Sequence, residues 1–111
     1  MTAETCLATY GTLAPGQVNA HQLSALRGTW STGIIRGTLV DEGWGAAHGC
    51  PGIVLDPSGA EVPVHLFRSD DLPSHWERLD AFEGPGYRRT EVEVRTDHGP
   101  VTAYIYALLL S

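Results

Sequence analysis

The sequence predicts an α+β domain whose short strands curl into a small β-barrel accompanied by two or so short helices. Three observations carry this. Runs rich in β-branched and apolar residues recur in hairpin-sized steps through the 111 residues. Thr90, Val92 and Val94 alternate with Glu91, Glu93 and Arg95, the period-two pattern of a half-exposed strand. Leu72, Trp76, Leu79 and Phe82 fall at i, i+4, i+7 and i+10, one face of a helix. The length allows one domain over residues 1–111, and a chain of this size buries roughly two-thirds of its unfolded surface without staples.

In chain order, Cys6 to Tyr10 reads as a short buried strand that Gly11 breaks. Gly11 to Gln17 contains Gly11, Pro15 and Gly16 and reads as a loop. Asn19 is a candidate helix N-cap, Leu23 and Leu26 share a face, and Gly28 ends that helix as its C′ residue. Thr29 to Val40 reads as one long strand or two, with Gly33 and Gly37 marking a bulge or close packing. Glu42 to Gly52 is glycine-dense and specifies no element. Ile53–Leu55 and Val62–Phe67, joined by the turn Asp56-Pro57-Ser58-Gly59, read as a hairpin. Ser69-Asp70-Asp71 leads into the amphipathic helix, whose first turn accommodates Pro73 because an N–H there has no partner to lose. The strand Arg89–Arg95, the turn Asp97-His98-Gly99-Pro100 and a closing strand Val101–Leu110 complete the chain.

Charge narrows the function. The net charge is −6, and all seven basic residues are arginine. Phosphate neutralisation needs clustered basic charge, so nucleic acid and anionic membrane surfaces are poor partners. The absence of lysine removes Schiff-base chemistry. Cys6 and Cys50 form no metal-binding spacing and read as buried thiols rather than a disulfide. The five histidines show neither an i, i+4 pair nor an HxH, so no metal site is expected. No GxSxG elbow supports a serine nucleophile. The start of the chain has no basic segment followed by an apolar run, and no stretch reaches the ~20 apolar residues of a spanning helix, so a cytoplasmic protein is expected.

The residues richest in chemistry are Leu79 to Arg89. Glu83 ends the amphipathic helix beside Phe82 and precedes the turn Gly84-Pro85-Gly86, which directs it toward the next strand. A carboxylate held against apolar neighbours has its pKa raised by desolvation, which suits a general base near neutral pH. Glu77 and Asp80 are rival acids, and Asp80 beside Leu79 reads as a structural, turn-bonding residue. Tyr87 reads as a pocket wall, a hydroxyl donor or a core aromatic. At the first strand's end, Tyr10-Gly11-Thr12-Leu13 reads either as a glycine turn or as a set of exposed backbone N–H groups able to hold an anion.

These motifs resemble those of the gamma-glutamylcyclotransferase-like family, of the gamma-glutamylamine cyclotransferase type. Tyr10-Gly11-Thr12-Leu13 followed by Gly16, Asn19 and Leu23 is similar to its opening motif. Leu79-Asp80-x-x-Glu83-Gly84 and Tyr87-x-Arg89-x-x-Val92-x-Val94 resemble its second motif, and Tyr104-Ile105-Tyr106 its closing strand. The resemblance covers nearly the whole chain. It implies a mixed barrel with a cavity between the first loop and the acid. It also implies cleavage of a gamma-glutamyl amide to 5-oxoproline and a free amine, without cofactor or metal. Glu83 would be the acid/base, and Tyr10, Gly11, Thr12, Leu13 and Tyr87 would bind the glutamyl group. The expected partner is a small gamma-glutamyl substrate, bound by a monomer or homodimer. A non-catalytic binding or regulatory domain and a pathway-specific deprotecting enzyme are the alternatives on the same fold. Val40 stands where a tyrosine is common, Cys50 replaces an aromatic, and Trp44 to Gly49 is longer than usual, which leaves the amine open.

Overall fold

The computed structural model describes residues 3–10, 23–40, 52–84 and 86–108. Within them the order is β1 (Cys6–Thr9), β2 (Thr29–Val40), β3 (Gly52–Leu55), β4 (Ala60–Arg68), α1 (Trp76–Glu83), β5 (Tyr87–Thr96) and β6 (Gly99–Leu108). Single 3₁₀ turns occupy Ala3–Thr5 and Leu72–Ser74. Bonded neighbours run β3-β2-β4-β1-β6-β5, and β5 returns to β2 through Ile34 and Arg95. Five strands therefore close on themselves, with β3 on the flank of β2. β1 and β6 run parallel and the other pairs antiparallel, so the barrel is mixed.

β3 and β4 do not form the expected hairpin. β3 pairs with Gly37 to Val40 and β4 with Thr29 to Gly37. Gly37 faces Leu55 on one edge and Ala60 on the other, so the two strands flank β2. The Asp56 amide donates to the Arg36 carbonyl at 3.2 Å, which carries the turn across the end of that ladder. The 12 residues of β2 carry β4 along one edge and leave room on the other for β3 at Gly37–Val40 and β5 at Ile34. Gly28 also departs from expectation, because it does not have positive φ. A Cβ there would lie 2.3 Å from the Arg68 carbonyl oxygen and 2.7 Å from the Phe67 ring, so close approach to β4 requires glycine. The predicted start of that first helix, at Asn19, lies outside the described residues.

Alternation sorts the side chains into two layers. Cys6, Ala8, Ile35, Ile53, Val62, Val64, Leu66, Val94, Ala103, Ile105 and Ala107 fill the barrel. Leu7, Phe67 and Tyr106 face outward and meet Leu72, Trp76 and Leu79 from the helical segment. β1 is buried along its whole length because the barrel interior lies on one side and α1 on the other. Cys6 is a buried free thiol; Cys50 lies outside the described residues.

α1 is shorter than its apolar pattern implies. Leu72 belongs to the preceding 3₁₀ turn, and the helix proper starts at Trp76, whose indole N–H donates to the Glu4 carbonyl at 2.9 Å. The helix stops at Gly84, with φ 82° and ψ −176°, a region a side chain makes costly. The Gly84 amide donates to the Asp80 carbonyl at 3.1 Å. The Gly84 carbonyl then accepts from the Tyr87 amide at 3.3 Å, so β5 begins beside the helix end.

Where the barrel closes, Glu61 on β4 pairs with Arg36 on β2, at 3.7 Å, and with Arg95 on β5. All three side chains are about half exposed. Such surface pairs contribute only about 0–1 kcal/mol, so the apolar interior holds the seam. No helix among the described residues is long and apolar enough to cross a membrane.

Candidate active site

The parallel ladder between β1 and β6 sets the site's location. It aligns Leu7 with Tyr104 and Ala8 with Ile105, so Tyr10 emerges at the end of the barrel that Tyr106 approaches. Tyr10 packs against the interior cluster. Its hydroxyl accepts a hydrogen bond from the Ile53 amide at 3.1 Å and donates one to the Tyr106 carbonyl at 2.6 Å. One phenol thus ties β1, β3 and β6 together.

Burial is the main cause that pushes the Tyr10 hydroxyl well above its ordinary value, and the nearby Tyr87 and Glu83 push it the same way. The Tyr106 hydroxyl is raised by burial first, then by its hydrogen bond to Asp80 and the charges of Asp80 and Glu83. In the unfolded chain both would ionise near 10. Their folded values lie higher, so their protonated forms stabilise the fold fully below that pH. That contribution is lost as pH rises above it. Stability measured by denaturant between pH 9 and 11.5 is expected to fall, with the tyrosinate absorbance of these two residues appearing only on unfolding. Tyrosinate from Tyr10 and Tyr106 in a still-folded protein would contradict the burial described.

Glu83 is the last residue of α1 and is half-buried. Its charge acts on both the Tyr10 and the Tyr106 hydroxyls. Tyr87, the first residue of β5, is half-buried against the outer layer and acts on the same Tyr10 hydroxyl. The Tyr10 hydroxyl is thus within electrostatic reach of Glu83 and Tyr87, two other sequence-predicted site residues. Gly11, Thr12 and Leu13 lie outside the described residues, as do Trp44 and Cys50.

The sequence assigns Asp80 only a turn-bonding role and does not foretell its long-range partners. The Tyr106 hydroxyl donates to Asp80 Oδ1 at 2.7 Å, and Arg89 Nε lies 3.2 Å from the same oxygen. The Arg89 guanidinium sits 4.7 Å from the ring centroids of both Trp76 and Tyr104, which meet edge to face. Asp80, Arg89 and Tyr106 border a cleft of about 280 Å³ together with Tyr87 and Arg88. Asp80 precedes Glu83 by three positions, the spacing that puts both on one side of a helix. That spacing was the available signal; the pairing with β5 and β6 is tertiary. Among the described residues, no three His, Cys, Asp or Glu side chains are placed to share a metal ion.

The family model for "Gamma-glutamyl cyclotransferase, AIG2-like" matches residues 7–110. The chain belongs to the AIG2-like gamma-glutamyl cyclotransferase family. Solved structures of similar shape agree with this membership. YkqA from Bacillus subtilis is 28% identical with a TM-score of 0.72; the match covers 96% of this chain and 36% of that one. An AIG2-like protein from Mus musculus is 25% identical with a TM-score of 0.71, over 93% of this chain and 76% of the mouse protein. A gamma-glutamyl cyclotransferase structure at 18% identity and a TM-score of 0.59, over 95% of this chain and 66% of that one, shares the fold. The chain thus spans about a third of the Bacillus protein. No curated protein sequence matches it. Among the described residues, the AIG2-like domain is a small closed barrel with one α-helix packed outside, and its fold matches the mouse and cyclotransferase structures.

Proposed function

We propose that this AIG2-like domain is a cofactor-free cyclotransferase that converts a gamma-glutamyl amide to 5-oxoproline and a free amine. One observation carries the reading: the helix end holds a half-buried carboxylate, Glu83, whose charge reaches the Tyr10 hydroxyl at the end of the first strand.

The substrate brings its own nucleophile, its α-amine, so the protein needs no reactive serine or cysteine. An ammonium cannot attack, and Glu83 would take its proton. The amine nitrogen then bonds to the side-chain carbonyl carbon, closing a five-membered ring. The proton passes from Glu83 to the departing amine as the amide C–N bond breaks, and the ring nitrogen gives up its second proton, so that the lactam leaves neutral and the amine as an ammonium. Ring closure is intramolecular, so holding the folded-back conformer supplies much of the rate. Backbone N–H groups of Gly11, Thr12 and Leu13 are proposed to hold the α-carboxylate or the developing oxyanion, each worth ~3 kcal/mol in the transition state. Tyr10 already donates its hydroxyl proton to the Tyr106 carbonyl, so its proposed part is to shape the pocket wall. A cytoplasmic protein acting on a small molecule suits this chemistry.

The test is release of 5-oxoproline from a panel of gamma-glutamyl amines and gamma-glutamyl amino acids by the purified protein. Turnover of any of them supports the reading. No turnover across the panel, with a melting temperature raised by small carboxylates, would favour a binding domain instead.

A further inference from the structure

We propose that Asp80 and Arg89, joined by Tyr106, form a positioning unit for Glu83: they fix the last turn of α1 against β5 and β6 and set the net charge that the Glu83 carboxylate meets. The inference rests on the reading of Glu83 as proton carrier. Neither Asp80 nor Arg89 is a catalytic residue in it, since neither needs to touch the substrate.

The geometry is specific. Asp80 stands one helical turn before Glu83 and receives Tyr106 Oη from β6 and Arg89 Nε from β5 at a single oxygen. Rotation of the helix end would break both contacts together. Arg89 has little freedom, because its guanidinium carbon lies 4.7 Å from the ring centroids of both Trp76, in the first turn of α1, and Tyr104 on β6. Arginine stacks on aromatic faces while still donating in its own plane, which lysine cannot do. One cation thus joins the first and last turns of an 8-residue helix to the barrel. Tyr106 links this unit to the pocket, since its carbonyl accepts from the Tyr10 hydroxyl while its own hydroxyl holds Asp80.

Charge gives the unit a second effect. The groups placed toward this helix end include Asp80 on α1, Tyr10 from β1, Tyr87, Arg88 and Arg89 from β5 and Tyr106 from β6. The three phenols are neutral around pH 7. Asp80 and Arg89 are opposite charges held as a pair. Paired, they largely cancel at Glu83. Removal of either leaves the other uncompensated.

Opposite responses follow. Asp80→Asn keeps the size and can still accept from Tyr106, but leaves the Arg89 cation unmatched. The Glu83 titration, read by NMR on carboxyl-labelled protein, is expected to move to lower pH. Arg89→Met leaves the Asp80 anion unmatched, and the titration is expected to move to higher pH. Arg89→Lys restores the charge and should bring it back toward the wild-type position. Where 5-oxoproline is released, the acid limb of the kcat profile should move with the titration. The loosened helix end should lower kcat about 10–100-fold with little change in KM. Asp80→Asn, being nearly isosteric, keeps the test open if Arg89→Met does not fold. Unmoved titrations, or displacement of both variants in the same direction as simple loosening would give, would overturn the proposal. Opposite displacements in a protein that releases no 5-oxoproline would support the unit and overturn the cyclotransferase reading.

Discussion

Glu83→Gln is expected to reduce 5-oxoproline release by about 10²–10⁴-fold, the usual contribution of a positioned acid/base, while the fold and its melting temperature are nearly unchanged. Glutamine matches the size and hydrogen-bonding reach of glutamate but cannot accept the ammonium proton. The loss should fall on kcat, because the glutamyl group would still be held by the first loop. Glu83 ends its helix and is half-buried, so a replacement of the same size disturbs little packing. Steady-state kinetics with circular dichroism on the same samples decides it. Full activity in the variant would remove Glu83 from the mechanism.

Leu79→Ala is expected to be the most damaging of the simple core truncations. Leu79 is fully buried in the outer layer, among Leu7, Trp76 and Tyr106. Truncation of such a leucine costs about 2–5 kcal/mol, from lost burial plus the cavity left behind. The site should suffer as well, because Leu79 seats the helix that carries both Asp80 and Glu83. Leu39 is the natural comparison. It is 44% exposed on β2, and Leu39→Ala should cost under about 0.5 kcal/mol. Urea unfolding of the two variants measures the difference, and equal stabilities would mean that the α1 interface contributes little.

The sequence was most legible where one face of an element is buried. The alternation at Thr90, Val92 and Val94 matches the buried and half-buried side of β5. The spacing of Trp76 and Leu79 gave the buried face of α1. β1 and β6 were readable as apolar runs ended by a glycine or a turn. Strand partnership was not readable. Ile53–Leu55, a tight turn and Val62–Phe67 have the local pattern of a hairpin, yet β2 lies between the two strands. Nothing in those residues encodes a third strand that arrives earlier in the chain.

The site divides along the same line. Glu83, Tyr10 and Tyr87 could be nominated because each sits at the end of an element, beside a turn. Arg89 and Tyr106 could not be given a role in the same way. Arg89 reads as the start of a half-exposed strand, and Tyr106 as part of the closing strand. Their meeting at Asp80 depends on the pairing of β5 with β6, which aligns Arg89 with Tyr106, and on the crossing of α1 over both. The reading of Asp80 as a structural, turn-bonding residue missed this long-range partnership.

A crystal of the protein soaked with 5-oxoproline tests the site most directly. The expected density lies between the Glu83 carboxylate and the main chain of Gly11 to Leu13, with the ring amide within hydrogen-bond reach of Glu83. The opposite end of the barrel holds a rival cleft of about 430 Å³, lined by Arg68, Asp97 and His98 among others. Density there, with Glu83 turned outward and its surroundings empty, would contradict the mechanism.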